Sequence, residues 1–222
     1  MTLAATAPLE REPEGLSGQA LDRLEIRELV ENWVVWRDSG DWERFSTVWH
    51  PDGRMNATWF RAAASEFIEG CRRSFDGGLV GIHMLGGSSI ELNSERAVVQ
   101  TKMQIVQRAD VRGAPVDVTC MGRFVDAIER HQGRWSILLR QPVYELDRLT
   151  PLEAGVSVNL DKTILDRFPL GYRHLAYVQT LQGFAVNEAL PGTRGPEVEA
   201  LFNRMRTWLH GGPRTELFGE EQ

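Results

Sequence analysis

Val116-Asp117-Val118-Thr119-Cys120-Met121-Gly122-Arg123-Phe124 sets Val116, Val118, Cys120, Gly122 and Phe124 at every second position. That period is the mark of a strand with one face in a core, and the run predicts a long strand over 116–128. Working outward, His131-Gln132-Gly133 reads as a hairpin turn, and 135–146 returns as the last strand. Upstream, Arg112-Gly113 is a turn behind a strand over 96–107. Two shorter runs precede it, 88–92 and 79–85. The second carries His83 within Val80-Gly81-Ile82-His83-Met84-Leu85. Strands joined by tight turns pair antiparallel, so this half of the chain predicts a curled antiparallel sheet.

The period changes before residue 79. Leu21, Leu24, Ile26, Leu29, Val30, Trp33, Val34 and Trp36 recur at helical spacing from about Ser17, and the helix stops at Asp38-Ser39-Gly40. Asp41 can cap a second, short helix with Trp42, Phe45, Val48 and Trp49 as its apolar positions, ended by a turn at Pro51-Asp52-Gly53. A strand over 54–60 and a third helix over 62–75 follow. Three helices ahead of a curled sheet make an α+β domain over 17–152. Residues 1–16 read as a flexible tail. Past Thr150-Pro151, residues 153–222 form a helical extension with helices over 160–168, 171–182 and 196–210. About seventy residues are too few for a core of their own. The extension is therefore expected to serve as an oligomer contact or a pocket lid. Leu201, Phe202, Met205 and Leu209 form an apolar stripe suited to a dimer or trimer, unless it folds back on its own subunit.

Composition removes several functions. Twenty-five Lys+Arg against thirty-one Asp+Glu give a net charge of −6, with no basic run, which demotes nucleic acid as a partner. No stretch approaches the roughly 18 apolar residues of a membrane span. Residues 1–15 lack the basic start and apolar core of a secretory signal. Two cysteines, Cys71 and Cys120, make no disulfide framework, so a reducing cytoplasm is the expected location. HxH, HExxH and CxxC spacings are absent and the glycine pairs fit no nucleotide-binding loop, so no metal and no cofactor is expected.

Five histidines keep the search for chemistry short. His131 sits in a turn. His50 and His210 sit at helix ends, where an imidazole can bond carbonyls. His174 lies in the extension, suited to a surface or interface contact or to a pocket. His83 is different, because a histidine inside an apolar strand needs a partner for its ring N–H. A carboxylate partner would make it a base by fixing the tautomer and stabilising the imidazolium. Asp38 and Asp41 are the candidates; Asp41 has a capping role, and Asp38 is freer to face a cavity. Seven tryptophans suggest aromatic cavity walls.

The ordered set Ile26-Arg27-Glu28-Leu29, Asp38-Ser39-Gly40-Asp41-Trp42, Phe45, Trp49-His50-Pro51-Asp52-Gly53, His83 and Gly133-Arg134-Trp135-Ser136-Ile137 resembles the SnoaL-like branch of the nuclear transport factor 2-like superfamily. The resemblance spans about residues 17–152. It implies a cone in which a curved antiparallel sheet, an α+β barrel, wraps an apolar pocket closed by the helices. Members similar to this chain include hexachlorocyclohexane dehydrochlorinase, scytalone dehydratase and bile-acid dehydratase, which use an Asp–His dyad. The resemblance puts the aspartate on Asp38, the histidine on His83 and a charge-stabilising arginine on Arg140, five residues after Trp135. Where relatives carry Lys or Tyr, five residues before the aspartate, this chain has Trp33, and Tyr144 offers a replacement hydroxyl. Trp33, Trp49, Trp59, Phe124 and Tyr144 are the expected substrate-binding walls. The implied activity is a cofactor-independent lyase that removes a proton from an apolar cyclic or aromatic molecule and expels a small leaving group. Alternatives are a formaldehyde-releasing lyase on lignin-derived diaryl compounds, and a non-catalytic binder or isomerase.

Overall fold

The computed structural model describes residues 18–219, so the tail expected over 1–16 lies outside the described residues. Helix α1, Gly18–Ser39, buries Ile26, Val30, Trp33 and Val34, which share one face at helical spacing. Helix α2, Trp42–Thr47, is capped as its sequence predicts: the Asp41 side chain accepts from the Arg44 backbone N–H.

Strand β1, Trp49–Asn56, runs through Pro51-Asp52-Gly53, where the sequence predicts a turn. The segment is a bulge instead. Trp49 pairs with Ile137 and Arg54 with Leu139, so four residues of one strand face a single residue of the other. Pro51 has no N–H to give a ladder, and Gly53 admits backbone where a Cβ would lie 2.7 Å from the His50 carbonyl oxygen. Strand β2, Arg61–Ala63, and helix α3, Ala64–Asp76, follow.

Strand β3, Gly81–Asn93, joins the two short strands expected over 79–92, with the register broken between Leu85 and Ser88 at Gly86-Gly87. Strands β4 (Arg96–Val111), β5 (Ala114–His131) and β6 (Arg134–Pro151) complete a meander. Arg112-Gly113 and Gln132-Gly133 carry positive φ at both positions, the turn form whose twist matches paired strands. Among the described residues the strands form one curved six-stranded sheet in the order β2-β1-β6-β5-β4-β3, with unpaired edges and a parallel β1–β6 pair. The register between β5 and β6 slips at Met121/Gly122. A Cβ at Gly122 would lie 2.1 Å from the Val143 carbonyl oxygen, so only glycine lets the strands close up at this bend.

The extension divides between the two faces of the sheet. Helices α4 (Lys162–Leu165) and α5 (Arg173–Leu181) place Leu165, Leu175, Ala176 and Tyr177 in the core that α1–α3 share with the concave face. Helices α6 (Pro196–Leu209) and α7 (Arg214–Phe218) cover the other face. There Leu201, Met205, Trp208 and Leu209 are buried with Val98, Val125, Leu139 and Val143. Most of the stripe expected to join two copies is thus consumed within the chain; Phe202 stays half-buried beside the Arg123 guanidinium. No helix among the described residues is long and apolar enough to cross a membrane.

Candidate active site

The last turn of α1 lies against β3, and this contact brings Asp38 to His83. Asp38 Oδ2 accepts the His83 backbone N–H at 2.6 Å, and Oδ1 lies 2.9 Å from His83 Nδ1. A carboxylate only accepts here, so Nδ1 carries the proton and Nε2 of the neutral ring holds a free lone pair. Arg37 Nη1 binds Asp38 Oδ1 at 2.9 Å and the Gly81 carbonyl at 3.0 Å, tying both partners to the start of β3.

Burial lowers the His83 pKa below the ordinary histidine value, and the Arg37 and Arg140 charges add to this against the opposing pull of Asp38. Burial would raise the Asp38 carboxyl, but hydrogen bonds from His83 and the charges of His83 and Arg37 outweigh it and hold it low. Burial also opposes the Arg37 charge, yet Cys71 and Asp38 beside it keep the guanidinium protonated. The result is a neutral base gripped by an anion, beside a fixed cation.

His83 lines a cavity of about 60 Å³ together with Trp33, Trp59, Phe67, Phe124 and Tyr144. Trp33 and His83 meet edge to face at 5.6 Å between ring centroids. The extension supplies Leu175, Gln179 and Phe184 to the same wall, and Phe184 packs 5.3 Å from Trp59. A cavity of about 150 Å³ admits benzene, so a ring enters this one only if a wall residue moves. Polar atoms without partners sit on three lining residues: Arg37 Nε, Trp33 Nε1 and Gln179 Oε1.

Of the expected walls, Trp33, Trp59, Phe124 and Tyr144 line this cavity. Trp49 does not; it packs behind Trp33 at 6.4 Å and fills core. The Tyr144 hydroxyl is bonded to Thr58, and burial raises its pKa far above the phenol range, so it stays neutral. Arg140 is also outside the lining. It is fully buried, and its Nε and Nη2 each donate to Asp126 at 2.8 Å. Its guanidinium lies 4.3 Å from the Trp33 ring and 4.2 Å from that of Phe124. Strand parity does put Arg140 on the concave face with Tyr144. However, it pairs with Asp126 one pleat deeper than the Pro142–Phe124 pair, and the two rings close over it. A carboxylate inside Val125-Asp126-Ala127-Ile128 needs a buried cation, and that signal pairs it with Arg140. The pocket cation that sequence reasoning passed over is Arg37, a lone charge ending the apolar run 33–36.

His50 sits in β1 rather than at a helix end, and its Nδ1 accepts the Asp52 backbone N–H at 2.9 Å. His174 has a carboxylate of its own. Asp147 Oδ1 lies 2.8 Å from His174 Nδ1, and Oδ2 accepts the His174 and Leu175 backbone N–H groups at 2.6 and 2.9 Å. Neither residue lines the cavity.

Residues 18–141 match the SnoaL-like domain family. Pea pathogenicity protein 2 of Fusarium vanettenii is 36% identical over 208 residues, covering 89% of this chain and 89% of its own. A PEP2-like protein of the same fungus is 35% identical over 202 residues, covering 86% and 87%. Coverage of that extent carries the likeness past the domain into the extension. Among solved structures, a hexachlorocyclohexane dehydrochlorinase (LinA) Type2 superposes with a TM-score of 0.52 at 15% identity, over 64% of this chain and 95% of its own. At that identity the likeness is one of fold.

Proposed function

The chain belongs to the SnoaL-like family, and from that premise we propose that it is a cofactor-independent lyase acting on a small cyclic or aromatic molecule. The observation that carries the reading is the 2.9 Å contact between Asp38 and His83, with His83 on the wall of an apolar cavity. His83 Nε2 takes a proton from a substrate carbon. The C–H electron pair becomes a new double bond, and the leaving group departs with its own pair. Asp38 holds the tautomer beforehand and stabilises the imidazolium afterwards. A positioned base contributes about 10²–10⁴-fold.

Arg37, in place of the expected Arg140, faces the charge that develops on the leaving group. Its Nε is buried, unpartnered and on a residue of the cavity wall. One donor placed for such a charge is worth about 10²–10³-fold. Arg140 is a positioning residue: it braces Trp33 and Phe124, and its charge adds a little to the burial that lowers the His83 pKa.

The aromatic walls favour an aryl substrate, and with one the same base supports a second outcome. Removing the hydroxyl proton of a hydroxymethyl group turns the O–H pair into the C=O of formaldehyde, and the pair of the broken C–C bond becomes a new C=C as a leaving group departs from the next carbon with its own pair. A panel of halogenated cyclohexanes, cyclic alcohols and hydroxymethyl diaryl compounds, followed for halide, alkene and formaldehyde, tests both. Release of one product that His83→Ala abolishes supports the lyase and names the leaving group. Binding without turnover across the panel replaces it with a carrier.

A further inference from the structure

Two glutamines of the cavity wall, Gln107 and Gln179, join a third, Gln182, outside it. Gln179 Nε2 on α5 donates to Gln107 Oε1 on β4 at 3.3 Å, and Gln107 Nε2 donates to Gln182 Oε1 at 2.9 Å. The chain of amides has one direction. Gln182, at the exposed end, accepts; Gln107 both accepts and donates; Gln179 gives one of its two N–H donors to Gln107. Its acceptor, Gln179 Oε1, is buried with no partner, on a side chain that is 5% exposed and lines the cavity. Buried acceptors are nearly always satisfied, so an orphan on a cavity wall marks where a ligand completes the bond.

The sheet register gives a scale for the strand member of the relay. Gln107 pairs with Gly81, and Ile105 pairs with His83, so Gln107 lies one pleat, about 7 Å, along the sheet from the base, and Gln179 is bonded to it from α5. A six-membered ring that presents a C–H to His83 with one edge reaches the relay with the other. We infer that Gln179 selects substrates bearing a hydrogen-bond donor, a hydroxyl or N–H, on the ring remote from the proton removed. This rests on the cavity being the substrate site, but not on which group leaves. Gln179 belongs to the extension, so this selection comes from outside the residues that match the family domain.

Trp33 and Trp59 line the cavity and report binding by their fluorescence. The test is titration of the full chain with phenol, anisole and toluene. Phenol carries a donor, anisole only an acceptor, and toluene neither. The wild-type protein is expected to bind phenol about tenfold more tightly than either of the others. Gln179→Met keeps the volume and removes the acceptor, and should bring the three within twofold while leaving toluene affinity unchanged. Gln182→Met, at the exposed end of the relay, cannot disturb the core and should cut the preference about threefold by loosening Gln107. Equal binding of the three by wild type, a preference for anisole, a phenol preference that survives Gln179→Met, or no binding of any probe overturns the inference. Failure of the lyase reading is a separate result, because these titrations involve no turnover.

Discussion

The molecule holds two Asp–His pairs with the same local grip. In each, one carboxylate oxygen binds the ring Nδ1 and the other binds the backbone N–H of the same histidine, at 2.9 and 2.6 Å for Asp38–His83 and 2.8 and 2.6 Å for Asp147–His174. Their surroundings are opposite. Asp147 is wholly buried, and its oxygens also take the Leu175 N–H, so it anchors the first turn of α5 to the end of β6. His174 is the more exposed partner of that pair, whereas His83 is the more buried partner of its own. Asp38 grips a strand and an arginine, and its histidine faces a cavity. A dyad is therefore a local geometry that serves equally to fasten a helix or to hold a base. The unfilled space next to the ring separates the two uses.

The largest expected difference is in turnover. His83→Ala should lower it about 10²–10⁴-fold, and His174→Ala should leave it within about threefold. Equal losses, with both variants folded by thermal melts, would erase the distinction between base and anchor. Stability separates the pairs far less. Asp147→Ala strands three donors at a buried site, and Asp38→Ala strands three as well, one of them on the Arg37 guanidinium, so each should cost about 3 kcal/mol in urea unfolding. A smaller effect follows from pH. Turnover needs neutral His83, whose folded pKa burial has lowered, so the acid limb should fall below about pH 6.5, and His174→Ala should not move it. The sign for stability is the same. Below about pH 6.5 the unfolded chain binds a proton that the folded site resists, so stability falls toward the lower folded value, and His83→Phe reduces that slope, leaving the share of His50, whose pKa burial also lowers. The smallest effect is at the wall. Phe184→Ala opens the cavity beside Trp59 and should speed binding of a bulky aryl probe about threefold in stopped flow, with the Asp147–His174 anchor unaffected.

Much of this was legible in the sequence. Period two over 116–128, the turns at 112–113 and 131–133 and the break at 38–40 mark the meander and the helix end. A histidine alone in an apolar strand, with a free aspartate at that helix end, points to the pair now seen at 2.9 Å. The misses share one cause: they depend on which distant groups meet. The bulge at 51–53 looks like a turn because Pro-Asp-Gly favours both, and only pairing to Ile137 and Leu139 decides. Arg140 has the right face but the wrong depth, which the Asp126 partner sets. The glutamine relay draws on β4 and α5, more than seventy residues apart, and no spacing rule predicts it. Arg37 was within reach, since a charge closing an apolar helix face beside a pocket carboxylate invites the question of what it neutralises.

The strand order carries a consequence in time. Strands β3 to β6 follow one another through two-residue turns, so each pairing closes a short loop. The β1–β6 ladder joins Trp49 to Ile137, and the contact of α1 with β3 joins Asp38 to His83 across 45 residues. Contacts of long separation form late, because the chain must first be brought together at an entropic cost. The meander is thus expected to assemble as a scaffold with an empty concave face, and the helices then close over it. The Asp38–His83 pair, the cavity and the extension that completes its wall come into being in that last step. Activity should return after the sheet signal during refolding, so the regain of turnover dates the moment the chain finishes folding.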